Sequence, residues 1–195
     1  MTVLAIDTAT RHRLVVIRAG RDGEPLDTRT GDGTAALPGL DRALGELGVS
    51  GLEAVVVVTG PGSYTGLRAG MAAGLGLAHA RGLPLHGVSS LEVTARGAPD
   101  GEVEMVALVD AGRGGAYMGR FVRRAGALGG RLEMVGEPRR VSLAAAAAEW
   151  PSPISLDDLP GIRRGDPVRA LAAAVPAALE RRPLALAGLA ATYLD

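Results

Sequence analysis

The sequence predicts an α/β protein of two similar lobes, the second abbreviated. Three observations carry this. An apolar, β-branched run from Ala54 to Val58 passes through Gly60, Pro61 and Gly62 into a helical segment, a strand–turn–helix unit. The opening pattern, Val3 to Ile6 ending in Asp7, returns late in the chain. There the apolar run Val103 to Val109 ends in Asp110, and a glycine-rich turn and a second strand, Ala116 to Val122, follow. Between the two copies, Gly97–Gly101 (GAPDG) is the best boundary, dividing the chain into residues 1–98 and 99–195.

The remaining elements follow in order. Thr2 to Ile6 and Arg13 to Arg18 read as strands joined by a short turn that holds Thr8 to His12, and Glu24 to Thr30 as a third strand. From Ala36 to Leu47, the residues Leu37, Leu40, Leu44 and Leu47 recur at helical spacing and make one apolar stripe. Ser63 is placed to cap the helix after the glycine turn. Within that helix Gly66, Gly70, Gly74 and Ala78 stand four apart and form one smooth face. Glycine inside a helix costs roughly 1 kcal/mol relative to alanine, so such a face implies another backbone packed very close. Leu85 to Val88 reads as a short strand, with Ser89 and Ser90 offering a cap for a brief helix. From Ser142 the chain is rich in Ala and Pro, and Val168 to Arg182 reads as a helix that Pro176 should kink or interrupt.

Bulk chemistry narrows the function. The 21 basic and 21 acidic residues balance to zero formal charge, which argues against tight RNA binding by this chain alone. Without cysteine there is no disulfide framework, thiolate metal site or cysteine nucleophile. No charged and apolar leader precedes the first strand, and the most apolar helix carries Arg68, His79 and Arg81. The expectation is a soluble, cytoplasmic protein with no membrane partner.

The loop from Gly60 to Gly66 is not a Walker A loop, because Leu67 and Arg68 stand where Lys and Ser/Thr are needed. Nor is it a nucleophile elbow: Pro61 and Thr65 occupy the glycine positions around Ser63. His12, His79 and His86 are isolated, so no metal site is expected.

Four blocks in order, LAIDTAT (Leu4–Thr10), GPGSYTGLRAG (Gly60–Gly70), GVSSLE (Gly87–Glu92) and VDAGRGGAYMGRF (Val109–Phe121), strongly resemble the bacterial TsaB (YeaZ) family. The terminal ATYLD is similar to the family's closing segment. The resemblance implies the actin-like ATPase, ribonuclease H-like fold. It also implies a role as a catalytically reduced relative of TsaD, the enzyme that transfers a threonylcarbamoyl group to N6 of an adenosine beside the anticodon of ANN-decoding tRNAs. The expected role is scaffold or activator, with TsaD as heterodimer partner and TsaE as a further one. A homodimer is compatible with the isolated chain, and tRNA is met only through the complex. In active actin-like ATPases the position of Asp7, Thr8 and Thr10 faces phosphate and metal, so these three are expected to be a vestigial phosphate loop, with Asp110 the matching acid of the second lobe. No cofactor is required, and nucleotide is expected only at the partner interface. That interface is expected on Leu37, Leu40, Leu44, Leu47, Arg68, Gly70, Met71, Gly74, Leu75 and Ala78, or on the remaining faces of the same two helices. The HxxxH metal pair of TsaD has no counterpart near Gly33. Two rival readings remain: a small actin-like kinase or ATPase, and a peptidase, after the glycoprotease (M22) label of the wider family.

Overall fold

The structure is a computed structural model that describes residues 1–125 and 130–185. The terminal ATYLD lies outside the described residues. Two five-stranded sheets organise the chain. In the first, β1 (Thr2–Thr10) is flanked by antiparallel β2 (Arg13–Gly20), which pairs in turn with antiparallel β3 (Pro25–Gly31). On its other side β1 pairs in parallel with β4 (Leu52–Val58), and β4 with β5 (Leu85–Val88). The order is β3-β2-β1-β4-β5.

The second sheet repeats this. Here β6 (Glu104–Gly112) is central, with β7 (Gly115–Arg124) and β8 (Arg131–Ser142) antiparallel on one side. The two-residue strands β9 (Ile154–Ser155) and β10 (Arg163–Arg164) lie parallel on the other. Strand order and pairing sense therefore match one for one between the sheets. The duplicated topology bears out the actin-like, ribonuclease H-like architecture of two similar lobes.

The abbreviation has a definite location. In the first lobe, α1 (Ala36–Leu47) precedes β4 and α2 (Tyr64–Arg81) joins β4 to β5. In the second, only α4 (Leu143–Glu149) occupies the first position, and the β9–β10 connection has no helix. Leu159 and Ile162 of that connection, with Ala146, cover Leu108, Ala116 and Met118 instead.

Alternation along each strand sorts the core into layers. Leu4, Ile6, Leu14 and Val16 face α1 through Leu40, Ala43 and Leu47. The opposite face, Val3, Ala5, Val15 and Ile17, meets Ala170, Leu171, Ala174 and Val175 of α5 (Pro167–Leu179). The short α3 (Ser90–Arg96) packs on the second sheet, where Leu91 and Ala95 touch Met105, Ala107, Val109 and Phe121. The helix that closes each half of the sequence thus covers the sheet of the other half.

Local signals explain the ends. Ser63 Oγ accepts the Gly66 N–H at 3.4 Å, Ser89 Oγ accepts that of Leu91 at 3.2 Å, and Gly82 ends α2 in the left-handed region at φ 63°. Asp166 caps α5 by accepting from the amides of Val168 and Arg169. Pro176 lies inside that helix, in its last turn, and the helix ends three residues later at Leu179, short of the expected Arg182. Among the described residues no helix is long and apolar enough to cross a membrane.

Candidate functional site

The expected turn from Thr8 to His12 is shorter in the structure. Strand β1 runs on to Thr10, pairing Asp7 with Val15 and Thr10 with Arg13, so only Arg11 and His12 remain to turn the chain. Asp7, Thr8 and Thr10 are consequently inside, each 2% exposed or less. All three side chains have partners within the protein. Asp7 Oδ1 accepts from the Ala9 amide at 2.9 Å. Its Oδ2 accepts from Arg13 Nε at 3.1 Å and lies 3.1 Å from Arg13 Nη2. Thr8 Oγ1 donates to the Gly66 carbonyl at 2.7 Å, and Thr10 Oγ1 to Asp157 Oδ1 at 2.8 Å.

Arg13 is the centre of this network, and it joins the lobes. Its Nη1 donates to Oδ1 of Asp157, which follows β9 in the second sheet. Asp157 Oδ2 accepts from the Asp110 amide at 3.3 Å, and its own amide donates to Ser155 Oγ at 3.1 Å. Burial alone would push the Arg13 guanidinium toward neutrality. The charges of Asp7 and Asp157 and their hydrogen bonds outweigh it and raise the pKa above the usual arginine value. One guanidinium thus bridges a carboxylate from each lobe. Asp110 does not face Asp7 directly. Its Oδ1 accepts from the Gly112 amide at 2.8 Å, and its Oδ2 lies 3.2 Å from His12 Nε2.

The Gly60–Gly66 loop is pressed onto the end of β1. A Cβ at Gly62 would lie 2.1 Å from the Ala9 carbonyl oxygen, and one at Gly66 would lie 2.2 Å from that of Thr8. The Ser63 amide donates to Ala9 at 2.6 Å. The glycines therefore serve backbone contact, and Ser63 is the cap and turn residue its sequence context predicts.

The same explanation corrects part of the expected partner surface. A Cβ at Gly70 would lie 2.2 Å from Thr8 Oγ1, and one at Gly74 would lie 2.3 Å from Val57 Cγ1. The close neighbour of this smooth face is the chain's own sheet, strands β1 and β4. Gly70, Met71, Gly74, Ala78, Leu40 and Leu47 are buried in that packing and cannot meet a partner. Of the expected set, Leu37 is 64% exposed, Arg68 is exposed, and Leu44 and Leu75 are half-buried. The outward stripe of α2 is instead Tyr64, Arg68, Ala72 and Gly76, with the Arg68 guanidinium 4.1 Å from the Tyr64 ring centroid. Its signal was available: it is offset from the glycine stripe by two residues, half a helical turn. Arg13 and Asp157 carried no such signal, because they lie 144 residues apart.

His86 is buried on β5, His79 is exposed near the end of α2, and His12 meets Asp110. Among the described residues no group of three His, Asp or Glu has metal-holding geometry.

Fold and site together define a two-lobed, actin-like protein in which a buried carboxylate from each lobe shares one arginine of its own chain. The family model described as TsaD: tRNA N6-adenosine threonylcarbamoyltransferase matches residues 34–176. An uncharacterized protein of Mycobacterium tuberculosis (strain ATCC 25618 / H37Rv) is 37% identical over 176 residues, covering 77% of this chain and 79% of that one. The tRNA threonylcarbamoyladenosine biosynthesis protein TsaB of Bacillus subtilis (strain 168) is 31% identical over 150 residues, 74% of this chain and 63% of its own. The TsaB of Escherichia coli (strain K12) is 34% identical over 129 residues, 63% of this chain and 56% of its own. Among solved structures, YeaZ from Pseudomonas aeruginosa superposes with a TM-score of 0.71 at 22% identity, covering 99% of both chains. The chain belongs to the TsaD family and, within it, to the TsaB (YeaZ) group of tRNA threonylcarbamoyladenosine biosynthesis proteins.

Proposed function

We propose that the chain is a non-catalytic subunit that pairs with TsaD and supports threonylcarbamoyl transfer to N6 of adenosine in ANN-decoding tRNAs. The observation that carries this reading is the Asp7–Arg13–Asp157 bridge. Phosphoryl transfer needs cleft acids that hold a metal and a cavity that accepts phosphate. Here the acids are buried against an internal guanidinium, and the adjoining loop is packed onto β1. A fold kept without free cleft acids supports binding as its role.

The docking surface is assigned to the outer faces of α1 and α2, with Leu37, Leu44, Arg68 and Leu75 as the contributors from the expected set and Tyr64 beside them. TsaE joins the same assembly, the isolated chain self-associates through this surface, and the setting is the cytoplasm. No cofactor is bound by this chain alone; nucleotide enters only at the partner interface.

The test is depletion of the chain in its host, followed by mass spectrometry of tRNA nucleosides. Threonylcarbamoyladenosine is expected to fall, with its unmodified precursor rising. Unchanged levels would remove the functional reading.

A further inference from the structure

We propose that the place where the β1–β2 and β6–β7 turns meet is a contact surface for the phosphate backbone of RNA, built by Arg11, Arg113 and Arg140. Arg11 sits in the β1–β2 turn, and Arg113 in the corresponding β6–β7 turn of the second lobe. The Arg11 side chain crosses between them: a Cβ built on Gly112 would lie 3.3 Å from its Nη2. Arg140, on β8, closes from the other side, with Nε 3.2 Å from where a Cβ of Gly115 would stand. The guanidinium groups of Arg11 and Arg140 therefore lie against the turn Gly112–Gly115, which carries the exposed Arg113 at its tip.

None of the three forms an ion pair among the described residues: no carboxylate there lies within ion-pair distance of any of them. The nearby acids turn elsewhere: Asp110 toward His12 and the Gly112 amide, and Asp32 toward the Thr34 amide that it caps. The adjacent Arg139, by contrast, meets Glu149 at 3.7 Å and lies over the Trp150 ring.

Arg113 adds an independent sign. Its φ is 56°, in the left-handed region that glycine or asparagine adopts far more readily at a turn tip. An exposed cation held there at a backbone cost is a functional signal.

RNA fits this surface better than a protein does. Guanidinium forks match phosphate oxygens in pairs. Protein-docking patches centre on aromatic and apolar side chains, and none of the exposed large apolar residues lies on these turns. Zero net charge keeps the contact weak in isolation, so it adds to binding by an assembly rather than replacing it.

The inference deepens the subunit reading but is tested apart from it. Fluorescence anisotropy of dye-labelled duplex RNA is measured against the full chain across about 50–200 mM salt. The variant Arg11→Gln/Arg113→Gln/Arg140→Gln is compared with a control of equal charge, Arg21→Gln/Arg81→Gln/Arg164→Gln. Removing three phosphate contacts lowers the slope of log affinity on log salt by about three, so affinity lost across that range shrinks roughly 40-fold. The control is expected to follow the wild type. Equal effects of both variants, or no binding by the wild type at the lowest salt, would overturn the proposal. Displacement by ADP with the same dependence on the three arginines would assign the site to a small nucleotide, and displacement by polyglutamate as readily as by unlabelled RNA would assign it to an acidic protein. If RNA binding is lost as expected while depletion leaves threonylcarbamoyladenosine unchanged, only the subunit reading falls.

Discussion

Replacing Arg13 with methionine keeps an apolar stem but removes the buried guanidinium, leaving two carboxylates behind. Arg13 is 6% exposed, Asp7 fully buried and Asp157 2% exposed. Breaking a buried ion pair by deleting one partner costs about 3–5 kcal/mol, because the surviving charge stays in a dry site. Two acids are stranded here, so the upper part of that range is expected. In a chain of this size each kcal/mol moves the melting temperature by about 2–4 °C, which at about 4–5 kcal/mol makes the shift roughly 8–20 °C. Circular dichroism melts at neutral pH read it directly. The raised pKa of Arg13 fixes the sign of the pH dependence. The stabilisation is fully present below the ordinary arginine range and is lost only as pH climbs through the still higher folded value. The contribution of Arg13 ionisation in the wild type is therefore flat between about pH 6 and 9. Arg13→Lys keeps the charge but not the fork, and should fall between wild type and Arg13→Met. A loss under about 1 kcal/mol, the size of a surface pair, would refute the clamp between the lobes.

Four further outcomes are expected. Gly74→Leu drives a side chain into Val57 and should destabilise by at least about 1–3 kcal/mol in denaturant titration. Gly76→Ala meets no atom within 4 Å on the outer face of the same helix and should gain roughly 0.8–1 kcal/mol. Leu37→Asp changes an exposed residue and should leave stability within about 0.5 kcal/mol while abolishing co-purification with TsaD; retained co-purification would move the interface off α1. The isolated chain, mixed with ATP and magnesium, should release phosphate no faster than buffer, and metal-dependent turnover abolished by Asp7→Ala would favour a kinase or ATPase instead.

Elements with a local signal were legible in the sequence. The Leu37–Leu47 stripe gives a helix over the same residues, Ala36–Leu47, as in the structure, and Leu85–Val88 is the strand the apolar run predicts. The return of strand-then-acid at Asp110 revealed the duplication, which the matching sheet orders make complete. What was illegible depends on distance or on weak patterning. Strand β8 lacks alternation, being exposed along most of its length, and β9 and β10 are two residues each. The glycine face calls for a close neighbour, which is the backbone of Thr8 at Gly66 but the side chains of Thr8 and Val57 at Gly70 and Gly74. Sequence alone leaves open whether that neighbour is the chain's own sheet or a partner helix, because both can demand small residues. Arg13 looked like an ordinary strand start, since its meaning depends on Asp157, supplied by the other lobe.

The exchange of closing helices has a consequence for how the chain survives damage. Pro99–Gly101 forms an exposed turn between α3 and β6, open to a protease. A cut there would not release two lobes. The N-terminal piece would still hold Leu91 and Ala95 inside the second sheet, and the C-terminal piece would keep Ala170, Leu171 and Val175 against the first. The nicked protein should remain a single particle in solution, and neither piece, made alone, should find a cover for its sheet until the other is supplied.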